Sequence, residues 1–288
     1  MRRFIDLHTH STASDGTLTP SELIARADDA RLAAVALTDH DTVAGLGEAR
    51  AAAEARGELR FIPGIELSAR PPSGTLHILG LGIDETAASI LAVAEYLREA
   101  RRRRNPRIVD QLRRLGIPLT MEDVRLAAEC DGSGEVVGRA HVARALLRGG
   151  HVRNTGEAFR RYIGKGKPAY VERERPEARE VIRAIHEAGG LAILAHPVHL
   201  ACTDRAHLTR VVASLAEEGI DGLEAWHSDH SPEWTRACMD LAAEMGLGLT
   251  GGSDFHGQAK PGVRLGRPAV TCGALTEPIR TRLLGRRS

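Results

Sequence analysis

The chain has 288 residues, 42% of them hydrophobic and 27% charged, with a formal net charge of +1. Those values suit one large globular domain with room for an insert, and they exclude a strongly basic or acidic field that would draw the whole chain to nucleic acid or membrane. Four scattered cysteines at 130, 202, 238 and 272 exclude a disulfide framework and a thiolate zinc site.

Strand-like runs occur at Arg3–His8, Ala33–Thr38, Leu59–Leu67, Leu76–Ile83, Leu191–Ala195, Gly222–Trp226 and Leu247–Thr250, and helical patterns separate most of them. Thr19, Pro20 and Glu22 spell a helix start, with an N-cap hydroxyl, a proline at the first position and a glutamate that closes a capping box. Strands alternating with helices predict an α/β fold with a parallel sheet or barrel, whose chemistry gathers where the strands end. From Ser89 to Arg161 the rhythm changes to helical patterns at Ser89–Leu115, Met121–Ala128, Arg139–Arg148 and Gly156–Arg161. The expected division is therefore a barrel over 1–88 and 169–288, resuming near Ala169-Tyr170-Val171, with an inserted helical subdomain over 89–168 that caps the mouth. No apolar run approaches the roughly 20 residues that span a bilayer. The first strand begins so close to Met1 that no signal peptide is expected, and a cytoplasmic location follows.

Ligand-type side chains stand at or just past the apolar runs: His8, His10, Asp15, His40, Glu66, His77, His196, Asp254 and His256. His8 and His10, like Asp254 and His256, are two residues apart, so an extended backbone turns each pair to one side. Six imidazoles and three carboxylates suit three divalent ions with three ligands apiece, leaving positions open to water and substrate. Three such ions would keep a net positive charge that attracts phosphate. Nitrogen and oxygen donors without thiolate fit Mn²⁺, Zn²⁺ or Fe²⁺.

His8-Thr9-His10, Ser14-Asp15-Gly16, Thr38-Asp39-His40-Asp41, Gly64-Ile65-Glu66, His77, Ala195-His196-Pro197 and Ser253-Asp254-Phe255-His256 together resemble the polymerase and histidinol phosphatase (PHP) hydrolases. The resemblance implies a distorted seven-stranded, TIM-like (β/α) barrel with two or three divalent ions, Mn²⁺ first among them. It implies one ion on His8, His10, Glu66 and Asp254, and a second on Glu66, His77 and His196. A third would take Asp15, His40 and His256. An aspartate at position 15, where many relatives have histidine, is similar to the branch of nucleoside 3′,5′-bisphosphate phosphatases and 5′–3′ exoribonucleases.

Arg139 and His141 open a predicted helix in the insert, where free amides and a guanidinium fork suit phosphate, and the same branch carries an Arg-x-His substrate element. Lys165, Lys167 and Ser228 are further expected phosphate contacts. Asp39 and Asp41 flank His40 as partners of ligand or substrate, and Asp41, His199 and His230 are the expected proton-transfer groups. His186 and His207 are expected to be structural. Arg101–Arg104 points around most of a helix and lacks interleaved aromatics, so a solvated helix face is expected there rather than a nucleic-acid groove.

The resulting expectation is a metal-dependent phosphoric monoester hydrolase that takes the 3′-phosphate from nucleoside 3′,5′-bisphosphates. The partner is a small phosphorylated nucleotide or short RNA, without membrane or obligate protein partner. Alternatives are a 5′–3′ exoribonuclease, a histidinol-phosphate phosphatase and a non-catalytic metal-stabilised module.

Overall fold

The protein is known from a computed structural model that describes residues 3–129 and 136–285. Eight strands form one mixed sheet: β1 Phe4–Asp6, β2 Ala34–Leu37, β3 Arg60–Ala69, β4 Leu76–Leu81, β5 Leu191–Leu194, β6 Gly222–Trp226, β7 Gly248–Gly251 and β8 Val270–Thr271. Their order is β7-β6-β5-β4-β3-β2-β1-β8. The β1–β2–β3 and β5–β6–β7 ladders are parallel, whereas β4 runs antiparallel to both its neighbours. The strand–helix alternation predicts a parallel sheet or barrel; of the strands so expected β4 alone is reversed, and the link between β3 and β4 explains the reversal. Residues 70–75, Arg-Pro-Pro-Ser-Gly-Thr, are too few for the crossover helix that a parallel pair requires. The short β8, absent from the expected strands, adds antiparallel to β1.

Past the last rungs of β1 and β7, backbone bonds nearly close the sheet into a barrel. The Leu7 amide donates to Gly251 O (3.2 Å), that of Asp254 to His8 O (2.8 Å), and that of His10 to Phe255 O (2.9 Å). Reversal of β4 carries its first residues to the mouth that the other strands reach with their last. His77, the second residue of β4, therefore stands across the ladder from Ser68, near the end of β3.

The helices are α1 Pro20–Asp29, α2 Leu46–Glu54, α3 Ala88–Arg114, α4 Met121–Glu129, α5 Arg139–Arg148, α6 Thr155–Ala158, α7 Ala178–Glu187, α8 Arg205–Glu217, α9 Pro232–Met245 and α10 Glu277–Leu284. The capping box of α1 forms as its sequence predicts: Thr19 Oγ1 accepts the Glu22 amide, and Glu22 Oε2 accepts the Thr19 amide. Strand alternation divides the core. Val35 and Leu37 pack with the outer helices, while Ala34 and Ala36 join Ile62, Leu79, Ile193 and α10. A further buried cluster gathers Ile108, Leu112, Val124, Val142, Leu146, Ile163, Ala169 and Val171. Helix α3 serves two clusters, with Ile90, Ala94 and Leu97 on the barrel and Ile108 and Leu112 on the helical part. Ala169 and Val171 thus belong to the helical cluster, and no strand forms between 164 and 177. Among the described residues no helix is long and apolar enough to cross a membrane.

Candidate metal centre

The strand ends bring His8, His10, Glu66 and Asp254 into one buried group. His8 Nε2 lies 3.5 Å from Glu66 Oε2 and 3.4 Å from Asp254 Oδ1, and His10 Nε2 lies 3.3 and 3.1 Å from the same oxygens. Ligands about 2.1 Å from a tetrahedral ion are about 3.4 Å from one another, so this spacing matches a coordination shell. His8 Nε2, His10 Nε2 and Glu66 Oε2 are buried with no hydrogen-bond partner. Several orphaned polar atoms around one point are costly unless a cation satisfies them, and the donor set fits a divalent ion.

Glu66 is the hub. His77 Nδ1 and His196 Nε2 approach its Oε1 at 2.6 and 2.8 Å, while His40 Nδ1 lies 2.7 Å from Oε2 without the geometry of a hydrogen bond. A further group joins His10, Asp15, His40 and His256, with His256 Nε2 3.2 Å from Asp15 Oδ1. His40 consequently faces two ways, with Nδ1 toward Glu66 and Nε2 toward Asp15. Burial opposes the Glu66 charge, yet His40, His77 and His8 hold its carboxyl well below the usual range. Burial pushes His196 down to about 3 and, helped by His10 and Lys260, His256 to about 4, leaving neutral rings with lone pairs to offer. Burial also opposes charge on His10, but Asp254 and Glu66 override it and raise it to about 9. Clustered carboxylates thus draw a cation, whether proton or metal.

Further groups, of which the sequence singled out only Asp39, orient these ligands. Glu224, fully buried within β6, accepts from His8 Nδ1 at 3.1 Å and from the His196 amide at 2.8 Å. With Nδ1 so occupied, His8 turns its Nε2 lone pair to the cluster. Asp39 accepts from Ser11 and Ser14 hydroxyls, while Lys260 pairs with Asp254 Oδ2. The buried ring of His227 lies beside those of His8 and His196, its Nε2 3.5 Å from Asp254 Oδ2. A glutamate inside an apolar strand was the available signal for Glu224; His227 follows β6 at the position after Trp226 and had the same strand-end mark as His196. Asp41, His196 and Asp254 all hold left-handed backbone (φ 55, 28 and 56°). Such strain costs of order 1–3 kcal/mol per residue and is typical of sites held rigid by their surroundings.

Other expected contacts fare differently. Asp41 is an expected proton donor, but it is fully buried. Its Oδ2 accepts from Arg101 (2.8 and 2.5 Å) and Arg173 (3.0 Å), and its Oδ1 from the Ser68 amide. Burial opposes that charge, yet Arg101 and Arg173 hold it far below the carboxylate range. His141 is buried, and its Nδ1 accepts the Gly138 amide at 2.9 Å, which caps α5. Arg139 lies against the rings of Phe159 and Tyr170 and donates to Ile163 O. Lys165 lines a cavity of about 420 Å³ with Arg70, Arg173 and Arg175, whereas exposed Lys167 does not. Ser228 is exposed on the turn after β6. His230 donates Nδ1–H to Ala225 O at 2.9 Å and buries an unpartnered Nε2. His199 pairs with Asp229 at 2.9 Å.

Arg101–Arg104 is not the solvated face expected. Arg102 and Arg103 are exposed and pair with surface glutamates, but Arg101 reaches Asp41 and Arg104 is only 4% exposed. Helix α3 rests this side against the barrel mouth, so successive arginines meet different surroundings.

A nearly closed barrel with clustered imidazoles and carboxylates at its mouth defines a metal-dependent phosphoesterase. The PHP domain model matches residues 6–249. The chain belongs to the PHP domain family. It is 38% identical over 256 residues to a 5′-3′ exoribonuclease of Haemophilus influenzae, covering 89% of this chain and 91% of that protein. It is 36% identical over 262 residues to a 3′,5′-nucleoside bisphosphate phosphatase of Chromobacterium violaceum, covering 91% and 90%. Among solved structures, a Bifidobacterium adolescentis protein assigned provisionally to the metal-dependent phosphoesterases superposes with a TM-score of 0.84 at 33% identity, covering 97% of this chain and 95% of that one.

Proposed function

We propose that the protein removes the 3′-phosphate of nucleoside 3′,5′-bisphosphates, leaving the nucleoside 5′-monophosphate. The observation that carries this reading is a second anion-seeking group beside the metal cluster. Arg104 is buried and donates to the neutral Asn105 Oδ1. Burial, and then Arg101, Arg173, Arg139 and Arg175, hold it well below the usual arginine range. Arg173 is likewise buried, has an unpartnered Nε, and is pushed down to about 9 by burial and by Arg101. Asp41 neutralises only part of this charge, and crowded buried guanidinium groups are costly without further anions. A phosphate oxygen would supply them. Asp41 also ties the two groups together, since its amide bonds to Glu66 O at 3.0 Å. A substrate with two phosphates would place one at the metal cluster and one on the arginines.

His8, His10, Glu66 and Asp254 would hold one ion, Glu66, His77 and His196 a second, and Asp15, His40 and His256 a third. Mn²⁺ is the proposed ion, in keeping with oxygen and imidazole donors. Bound divalent ions supply a water nucleophile active at neutral pH and neutralise charge on the phosphoryl group. The chain's own part is orientation. Glu224 fixes His8, and the arginines anchor the second phosphate.

The test is phosphate release by Mn²⁺-loaded protein from adenosine 3′,5′-bisphosphate, compared with mononucleotide release from 5′-phosphorylated RNA oligomers. A clear preference for the bisphosphate supports this reading, and the reverse preference assigns the site to a 5′–3′ exoribonuclease. Arg104→Met should raise KM for the bisphosphate about 10- to 100-fold, the value of one or two charged hydrogen bonds, with metal content unchanged.

A further inference from the structure

Two residues at the barrel mouth form a pair that neither the metal cluster nor the arginines use. His199 lies on the turn Pro197–Leu200 that follows β5, and Asp229 on the turn that follows β6. A carboxylate only accepts, so His199 donates Nε2–H to Asp229 Oδ2 at 2.9 Å. Both turns are fixed. The His199 amide donates to His196 O (2.9 Å), the Thr75 amide donates to His199 O (2.8 Å), and the Asp229 amide donates to the buried His227 Nδ1 at 3.0 Å. The His199 ring centroid is 4.4 Å from that of His196, itself 2.8 Å from Glu66. With a side chain 37% exposed, His199 touches the cluster on one side and solvent on the other.

Resting on the phosphoesterase reading above, we infer that His199 is the catalytic acid that protonates the leaving oxygen and that Asp229 is its positioning residue. Water attacks phosphorus while the bond from phosphorus to the leaving oxygen breaks, and that electron pair stays with the leaving oxygen. The proton on His199 Nδ1 passes to this oxygen, which departs as a hydroxyl. The attacking water gives its proton to solvent, and solvent returns one to His199. One water is consumed for each alcohol and phosphate formed. Asp229 keeps Nε2 occupied and holds the ring in place, so the proton in transit is on Nδ1. Solvent exposure supplies the return proton. A buried histidine such as His227 lacks that route.

The test separates acid catalysis from binding or folding by varying the leaving group. A ribose hydroxyl leaves as a strongly basic alkoxide and needs a proton, whereas p-nitrophenolate does not. His199→Gln should lower kcat on adenosine 3′,5′-bisphosphate by about 10²- to 10⁴-fold and lower it far less on p-nitrophenyl phosphate. Asp229→Asn should show the same selectivity with a smaller loss, and Asp229→Glu should recover part of it. Metal content and melting temperature, measured on each variant, report on folding. Equal losses on both esters, or no loss on either, overturn the proposal. Glycerol 2-phosphate, an alkyl ester without a nucleoside, keeps the two readings apart. If wild type cleaves it as readily as the bisphosphate, the substrate reading fails while the alkyl-to-aryl ratio of the variants still judges His199. A wild-type protein that cleaves no monoester overturns both.

Discussion

Replacing Glu224 with glutamine tests how far the metal centre depends on a residue that faces the ligands from behind. The carboxylate is fully buried and accepts two donors, His8 Nδ1–H and the His196 amide. Burial raises its cost of charge, yet His8, His227 and His196 bring the carboxyl down to about 2, so it is ionised at any working pH. Glutamine keeps the shape and one acceptor oxygen. Its amide group, if turned to His8, donates to Nδ1, and the ring proton then moves to Nε2, where it blocks the lone pair directed at Glu66 and Asp254. Loss of such a carboxylate partner typically lowers metal affinity 10- to 100-fold, or about 1.4 to 2.7 kcal/mol. The assay is calorimetric titration of Mn²⁺ into chelator-stripped protein, wild type against Glu224→Gln, with melting temperature as the control for folding. Unchanged affinity for every ion in a folded variant would refute the claim that Glu224 sets the His8 tautomer.

Two other outcomes follow from the barrel seam. A Cβ at Gly252 would lie 2.5 Å from the His8 amide nitrogen and fall on His8 Cβ as well, so Gly252→Ala should push β1 from β7 and lower both metal affinity and thermal stability; elemental analysis and calorimetric melting check it. Asp6 accepts the amides of Ser253 (2.8 Å) and Gly266 (2.7 Å), and burial raises its carboxyl to about 6 from 3.8. A raised acid favours the fold below about 3.8, and that contribution is lost as pH rises through about 6. It amounts to about 3 kcal/mol for about two pKa units. Urea unfolding of stripped wild type and Asp6→Asn should therefore show wild type gaining on the variant as pH falls from 7 to 4, and a pH-independent difference would contradict it.

How much of this was legible in the chain depends on how local each signal is. The strand runs, the Thr19 capping box and α5 from Arg139 to Arg148 came from neighbouring residues alone, since alternation, caps and 3.6-residue periodicity act within a few positions. That ligand-type residues gather at one mouth was likewise readable, because a barrel brings strand ends together whatever their distance in sequence, whereas the particular grouping of His8, His10, Glu66 and Asp254 came from the resemblance to the PHP hydrolases. His227 and Glu224 escaped attention for opposite reasons. His227 stood beside two more conspicuous residues, Ser228 and His230, and Glu224 sat inside an apolar run where a strand face, not a strand end, decides its neighbours.

By itself, then, the sequence determined the kinds of element, the ligand chemistry and the end of the barrel where it collects. Tertiary structure decided which side chains meet across elements. It set Asp41 against Arg101 and Arg173, drew Arg104 out of solvent, placed His141 Nδ1 on the Gly138 amide and paired His199 with Asp229. Local pattern fixes which way a backbone runs and turns its side chains. Burial and charge, which set the role of a polar group, depend on segments far apart in the chain that only the folded barrel brings within hydrogen-bonding distance.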